Sequence, residues 1–93
     1  MFEFTESERI KVISGYFFSE TPLKLRQFPA KQKKKYIILS ILVKVFEKEK
    51  KYSEKEVNEV LKGIYPDFVT LRRALVDYKY MSRTRDGKEY WLV

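Results

Sequence analysis

Residues 52–93 read YSEKEVNEVLKGIYPDFVTLRRALVDYKYMSRTRDGKEYWLV, and the fold turns on how that stretch divides. Ser53 and Glu56 have the spacing of a capping box, in which each side chain accepts a free backbone N–H at a helix start. Val57, Val60, Leu61 and Ile64 then recur at i, i+3, i+4 and i+7, the period of one buried helix face. Tyr65-Pro66 breaks that helix, and Asp67 follows as the N-cap of another running to about Tyr78. Met81 to Arg85 and Lys88 to Val93 are short runs flanking Asp86-Gly87, the dipeptide that favours a tight type I′ turn. The stretch is predicted as helix, helix, hairpin.

Working upstream, Thr5 and Glu8 form another capping-box pair, and Ile10, Ile13 and Phe17 follow at helical spacing, predicting a first helix from Glu6 to Phe18 that Gly15 weakens. Pro22 ends it. Leu23, Leu25 and Phe28 around Lys24 and Arg26 read as a short extended segment closed by Pro29. The next helix, Ala30 to Glu49, starts basic and then turns apolar at Ile37, Ile38, Leu39, Ile41, Leu42, Val45 and Phe46, so it should be the centre of the core. No repeat or linker interrupts the chain, which reads as a single domain with an N-terminal helix in 1–20 and a core in 21–93. The expected fold is mainly α, of α+β type: a winged helix-turn-helix carrying an extra N-terminal helix. Its small sheet is the C-terminal hairpin, with a candidate third strand near 23–28.

The chain has 93 residues, of which 44% are hydrophobic and 16% aromatic, enough for one core. With no cysteine and no histidine it has no disulfide framework, no thiolate metal site and no usual general base, so it is not expected to be an enzyme or to need a cofactor. The acidic start MFEFTESERI is unlike a signal peptide, and the longest apolar run, Tyr36 to Val43, is too short to span a bilayer. A cytoplasmic protein without membrane contact is expected. The formal charge is +7, and residues 21–51 alone hold ten bases against two acids. Such a local excess favours a polyanionic partner, although solubility also accounts for it.

Successive helical residues advance by about 100°, which puts Leu71, Ala74, Leu75 and Tyr78 on one side of the helix from Asp67 and Val69, Arg72, Arg73 and Val76 on the other. The second set is expected to face away from the core. In a helix-turn-helix this helix enters the major groove, which makes Val69, Thr70 and Arg73 candidate readers of base edges. The alternative is an Arg73–Asp77 pair on a solvated face. Arg83 and Arg85 recur at the strand period of two, and Lys88 lies at the hairpin tip, so all three suit a phosphate backbone; an edge hairpin kept soluble by charge would look the same. Lys31, Lys33, Lys34 and Lys35 crowd the first turn of a helix, where free N–H groups and lysines together suit a phosphate, or where charge merely solvates a greasy helix. Duplex DNA is the expected partner ahead of RNA. The other reading is a protein-interaction module or homodimer formed through the aromatic N-terminal segment Phe2, Phe4, Phe17 and Phe18.

The runs QFPAKQKKKYIIL, YSEKEVNEVL and DFVTLRRALVDYKYMSRTRDGKEYW resemble an uncharacterised family of small bacterial domains, over roughly Leu25 to Trp91. The residues that carry the likeness are Tyr52, Glu56, Val57, Asn58, Leu71-Arg72-Arg73, Leu75-Val76-Asp77, Asp86-Gly87 and Tyr90-Trp91. Members stand alone or form the C-terminal part of some transcriptional activators, so the resemblance implies a nucleic-acid-binding role in transcription regulation. Within that block, which the resemblance makes equally readable as structural with Asn58 or Tyr52 fixing the turn between the helices, Arg72 is either a reader or scaffold reaching back to a buried acceptor.

Overall fold

A computed structural model describes residues 2–93. Ser53 Oγ accepts the Glu56 N–H at 3.0 Å and Glu56 Oε1 accepts the Ser53 N–H at 2.8 Å, so the capping box is formed and α3 runs Glu54–Lys62. Asp67 likewise accepts the Thr70 N–H at 3.3 Å and starts α4, Phe68–Asp77. Val57, Leu61, Leu71 and Leu75 are fully buried, so the predicted apolar faces of the two helices meet the core. Beyond α4, Lys79 N–H donates to Val76 and Tyr80 N–H to Leu75, with Lys79 in the left-handed region at φ 66°. That is a Schellman stop built without glycine.

The core helix α2 spans Gln32–Leu42, shorter at both ends than the Ala30–Glu49 expected. Ile37, Ile38, Leu39, Ile41 and Leu42 are all buried, as the unbroken apolar run requires. The chain then tightens into a 3-10 turn at Val43–Val45, which leaves Val45 exposed and returns Phe46 to the core in extended conformation. There its ring meets Tyr52 edge-on at 5.2 Å. A continued α-helix would have carried Phe46 away from that partner.

The N-terminal region also departs from expectation. The Thr5–Glu8 capping box is present, but α1 spans only Glu6–Tyr16, and Phe17–Glu20 is a strand, β1, antiparallel to β2, Leu23–Leu25. Phe17 is buried by leaving the helix. The segment near 23–28 therefore does contain a strand, but it pairs with β1 instead of the C-terminal hairpin. Leu25 N–H donates to the Ile64 carbonyl at 3.0 Å and the Lys24 ammonium to the Gly63 carbonyl, which fastens β2 to the end of α3.

The third strand of the other sheet is β3, Tyr52–Ser53, just ahead of α3. It pairs with β5, Glu89–Leu92, which also pairs with β4, Met81–Arg83, giving the order β3-β5-β4 with all neighbours antiparallel. The β4–β5 turn is not the predicted type I′, which requires positive φ at both central residues. Asp86 has no positive φ, and Gly87 alone does, at 74°. The reason is local hydrogen bonding: Thr84 Oγ1 accepts the N–H of Lys88 and Glu89, and Asp86 Oδ1 also accepts from Lys88, which widens the loop. The result is a small α+β domain of 37 × 27 × 23 Å with α2 at its centre. Among the described residues no helix is long and apolar enough to cross a membrane.

Candidate nucleic-acid interface

Arg72 is bound into the fold. Its side chain is only 14% exposed, donates to Asn58 Oδ1 at 2.6 Å and stands 3.6 Å from Glu54 Oε1. It therefore ties α4 back onto α3, as a scaffold residue would. The face opposite the core is accordingly less open than the helical projection suggests, because Arg72 turns inward and Val76 packs against the core cluster. What remains outward at the start of α4 is Thr70, exposed and bonded through its hydroxyl to Asp67 at 2.7 Å, with half-buried Val69 beside it. Arg73 is exposed one turn further on and, unlike Arg72, has no hydrogen bond or ion pair among the described residues.

An open groove of about 370 Å³ separates α4 from the hairpin. Arg72, Arg73, Val76 and Asp77 form its helical wall, Arg83 and Tyr90 its strand wall, and Glu54 its end. Arg83 Nη1 donates to the carbonyls of Thr84 and Arg85, at 3.3 and 3.4 Å, so this side chain folds inward under the turn. Arg85 does not share its face, because β4 ends at Arg83 and Arg85 lies in the widened loop. Arg85 and Lys88 are both exposed at the tip. The carboxylate of Asp86 is held below its usual range by the Thr84 hydroxyl and the Lys88 N–H, which keeps the loop's anion committed to the loop. Tyr90, buried, donates its hydroxyl to Glu54 Oε2 at 3.4 Å. Glu54 is a groove residue that the sequence does not single out, since no local spacing links it to Arg72 or Tyr90.

The lysine cluster lies elsewhere. Lys33 pairs with Glu8 at 2.7 Å, Lys34 donates to the Tyr16 hydroxyl at 3.3 Å, and Lys35 stands over the Phe28 ring at 5.7 Å. Lys31 is exposed at the N-cap position. The bond to Lys33 also holds the Glu8 carboxyl below the ordinary range. Tyr36, next along α2, stacks on Tyr80 with ring centroids 5.0 Å apart and accepts the Tyr80 hydroxyl at its carbonyl. Burial pushes the Tyr80 phenol up, so it stays a donor. Tyr80 lies just past the C-terminus of α4, so the lysines neighbour that end, whereas Thr70 is at the other, on the order of 15 Å along the axis of a ten-residue helix. The structure brings Arg73 and Arg83 together and leaves Lys31 to Lys35 on the α1–α2 seam.

Helix, strand, helix, helix and hairpin, locked by Arg72 and carrying an arginine-lined groove, define a small basic α+β domain. Residues 24–92 match the model of the family described as "Uncharacterized protein conserved in bacteria (DUF2087)", and the chain belongs to that family. The match begins inside β2, so α1 and β1 precede it. No curated protein and no solved structure shows significant similarity to the chain.

Proposed function

We propose that this protein is a winged-helix domain that binds duplex DNA in the cytoplasm and serves transcription regulation. The observation that carries the reading is the shared aspect of two elements: α4 leaves Thr70 and Arg73 uncovered beside a hairpin whose Arg85 and Lys88 are exposed and whose Arg83 faces the same groove. A strand before α3 joining the hairpin in the order β3-β5-β4 gives that hairpin a fixed angle to α4. Val69 and Thr70 then meet base edges, while Arg85 and Lys88 follow the backbone. The lysines at the start of α2 contribute less in this arrangement, because three of them hold α1 or aromatic rings.

The test is a salt titration of binding to random duplex DNA, single strands and structured RNA, with labelled backbone amides to locate the contact. Duplex affinity should fall steeply with salt, and shifts should concentrate on residues 68–73 and 83–88. If no ligand perturbs α4, the DNA reading fails.

A second reading, docking of a protein or a second copy through the N-terminal aromatics, keeps one supporting observation. Phe18 is 72% exposed on β1, whereas Phe17 is buried and Phe2 and Phe4 pack on Tyr36 at 5.6 and 6.1 Å. Phe18→Ser should abolish any self-association seen by sedimentation if that reading holds.

A further inference from the structure

We propose that the groove between α4 and the C-terminal hairpin is a phosphate-binding site in which Arg73 and Arg83 clamp a single phosphate. The inference rests on the duplex reading, in which that phosphate is a backbone phosphodiester, and it makes Arg73 a backbone contact instead of a base reader. Part of the groove's lining is neutralised internally: Glu54 has Arg72 at 3.6 Å and the Tyr90 hydroxyl at 3.4 Å, and Arg72 has Asn58 as well. Those groups are occupied. Two guanidinium groups then remain with free donors on facing walls, one on a helix and one on a strand. Arg73 has no partner among the described residues, and Arg83 uses only Nη1, on two weakly placed carbonyls, which leaves Nη2 and Nε. A planar guanidinium presents five donors in a fork that matches phosphate oxygens, and both of these side chains line the one groove.

Two neighbouring residues set how well the clamp works. Asp77 lines the same wall, and its carboxylate opposes an anion there. Gly87 lies close to Arg83: a Cβ at this position would lie 3.3 Å from Arg83 Nη1 and 3.4 Å from Glu54 Oε2, at a φ of 74° that side chains rarely adopt. Glycine therefore lets the hairpin tip close on Arg83 without displacing it.

The experiment uses the full chain, labelled so that arginine Nε–H signals are seen, titrated separately with inorganic phosphate and with a random-sequence duplex. Both should shift Arg73 and Arg83. Because the two side chains hold one phosphate, the double variant Arg73→Gln/Arg83→Gln should lower the slope of log affinity on log salt by about one, not two. Asp77→Asn should tighten binding of both probes, a gain that misfolding cannot imitate. Duplex binding that moves Thr70 while leaving both arginine signals and the slope untouched would overturn the clamp and spare the DNA reading. Shifts with inorganic phosphate but none with duplex would support the clamp and count against the DNA reading.

Discussion

Lys79 sits at φ 66°, where its Cβ crowds the following carbonyl, because α4 must stop and turn into β4 within a few residues. A non-glycine residue in this conformation costs roughly 1–2 kcal/mol. Lys79→Gly should therefore raise stability by about 1 kcal/mol, read as a higher urea midpoint at unchanged slope. Arg72 makes the opposite case. Removing it leaves Asn58 without its charged donor, and hydrogen bonds to charged groups contribute about 1.5–3 kcal/mol. Arg72→Met and Asn58→Ala should each destabilise, and the double variant should lose clearly less than their sum; additive losses would show that the two do not act together. That contact joins residues 14 apart in sequence across a break at Pro66, which is why periodicity left Arg72 on the outer face. The family resemblance placed Arg72 in a block that reads equally as structural, but it named no partner for the side chain.

At the level of elements, the capped helices were the readable part. Ser53–Glu56, Thr5–Glu8 and Asp67 use hydrogen bonds within one turn, so the sequence spacing and the geometry are the same fact. Strands were harder. Phe17 fits the helical stripe of α1 equally well, and only the pairing of Phe17 with Leu25 makes it a strand residue; the two residues of β3 are too few to show a period. The end of α2 was set by the distant ring of Tyr52, which nothing near Phe46 announces.

The caps also give a pH dependence. The Glu56 carboxyl lies below its usual value of 4.5, chiefly through the Ser53 N–H, and Glu8 does so chiefly through Lys33. A carboxyl depressed on folding contributes stability that is complete above its unfolded value and disappears as pH falls through the folded one. The urea midpoint should thus be level from neutrality to about pH 5 and drop below it, and the drop should be shallower in Glu8→Gln/Glu56→Gln. An unchanged acid limb in that variant would mean that other carboxyls carry the effect.

Over the whole molecule, the densest run of charge and the arginine-lined groove separate. The stretch 21–51 holds ten bases and two acids, yet its densest part serves the seam with α1, and the groove draws instead on Arg72, Arg73 and Arg83. Charge counted along a chain cannot say which side it will occupy, and the Glu8 and Tyr16 partners of these lysines come from a helix outside the family match. Lys33→Gln should accordingly change stability by less than about 1 kcal/mol, as expected of an exposed pair, and shift α1 amides while leaving the salt slope of duplex binding as it was. A slope reduced by about one would restore the lysines to the contact surface.

The strand order β3-β5-β4 places the last strand in sequence between the other two. During synthesis α1 to α4 and both outer strands leave the ribosome before the strand that joins them. Until residues 89–92 emerge, Tyr52 and Met81 have no ladder partner, and the hairpin wall facing α4 does not exist. A nascent chain stalled before that point should carry its helical face with no hairpin beside it.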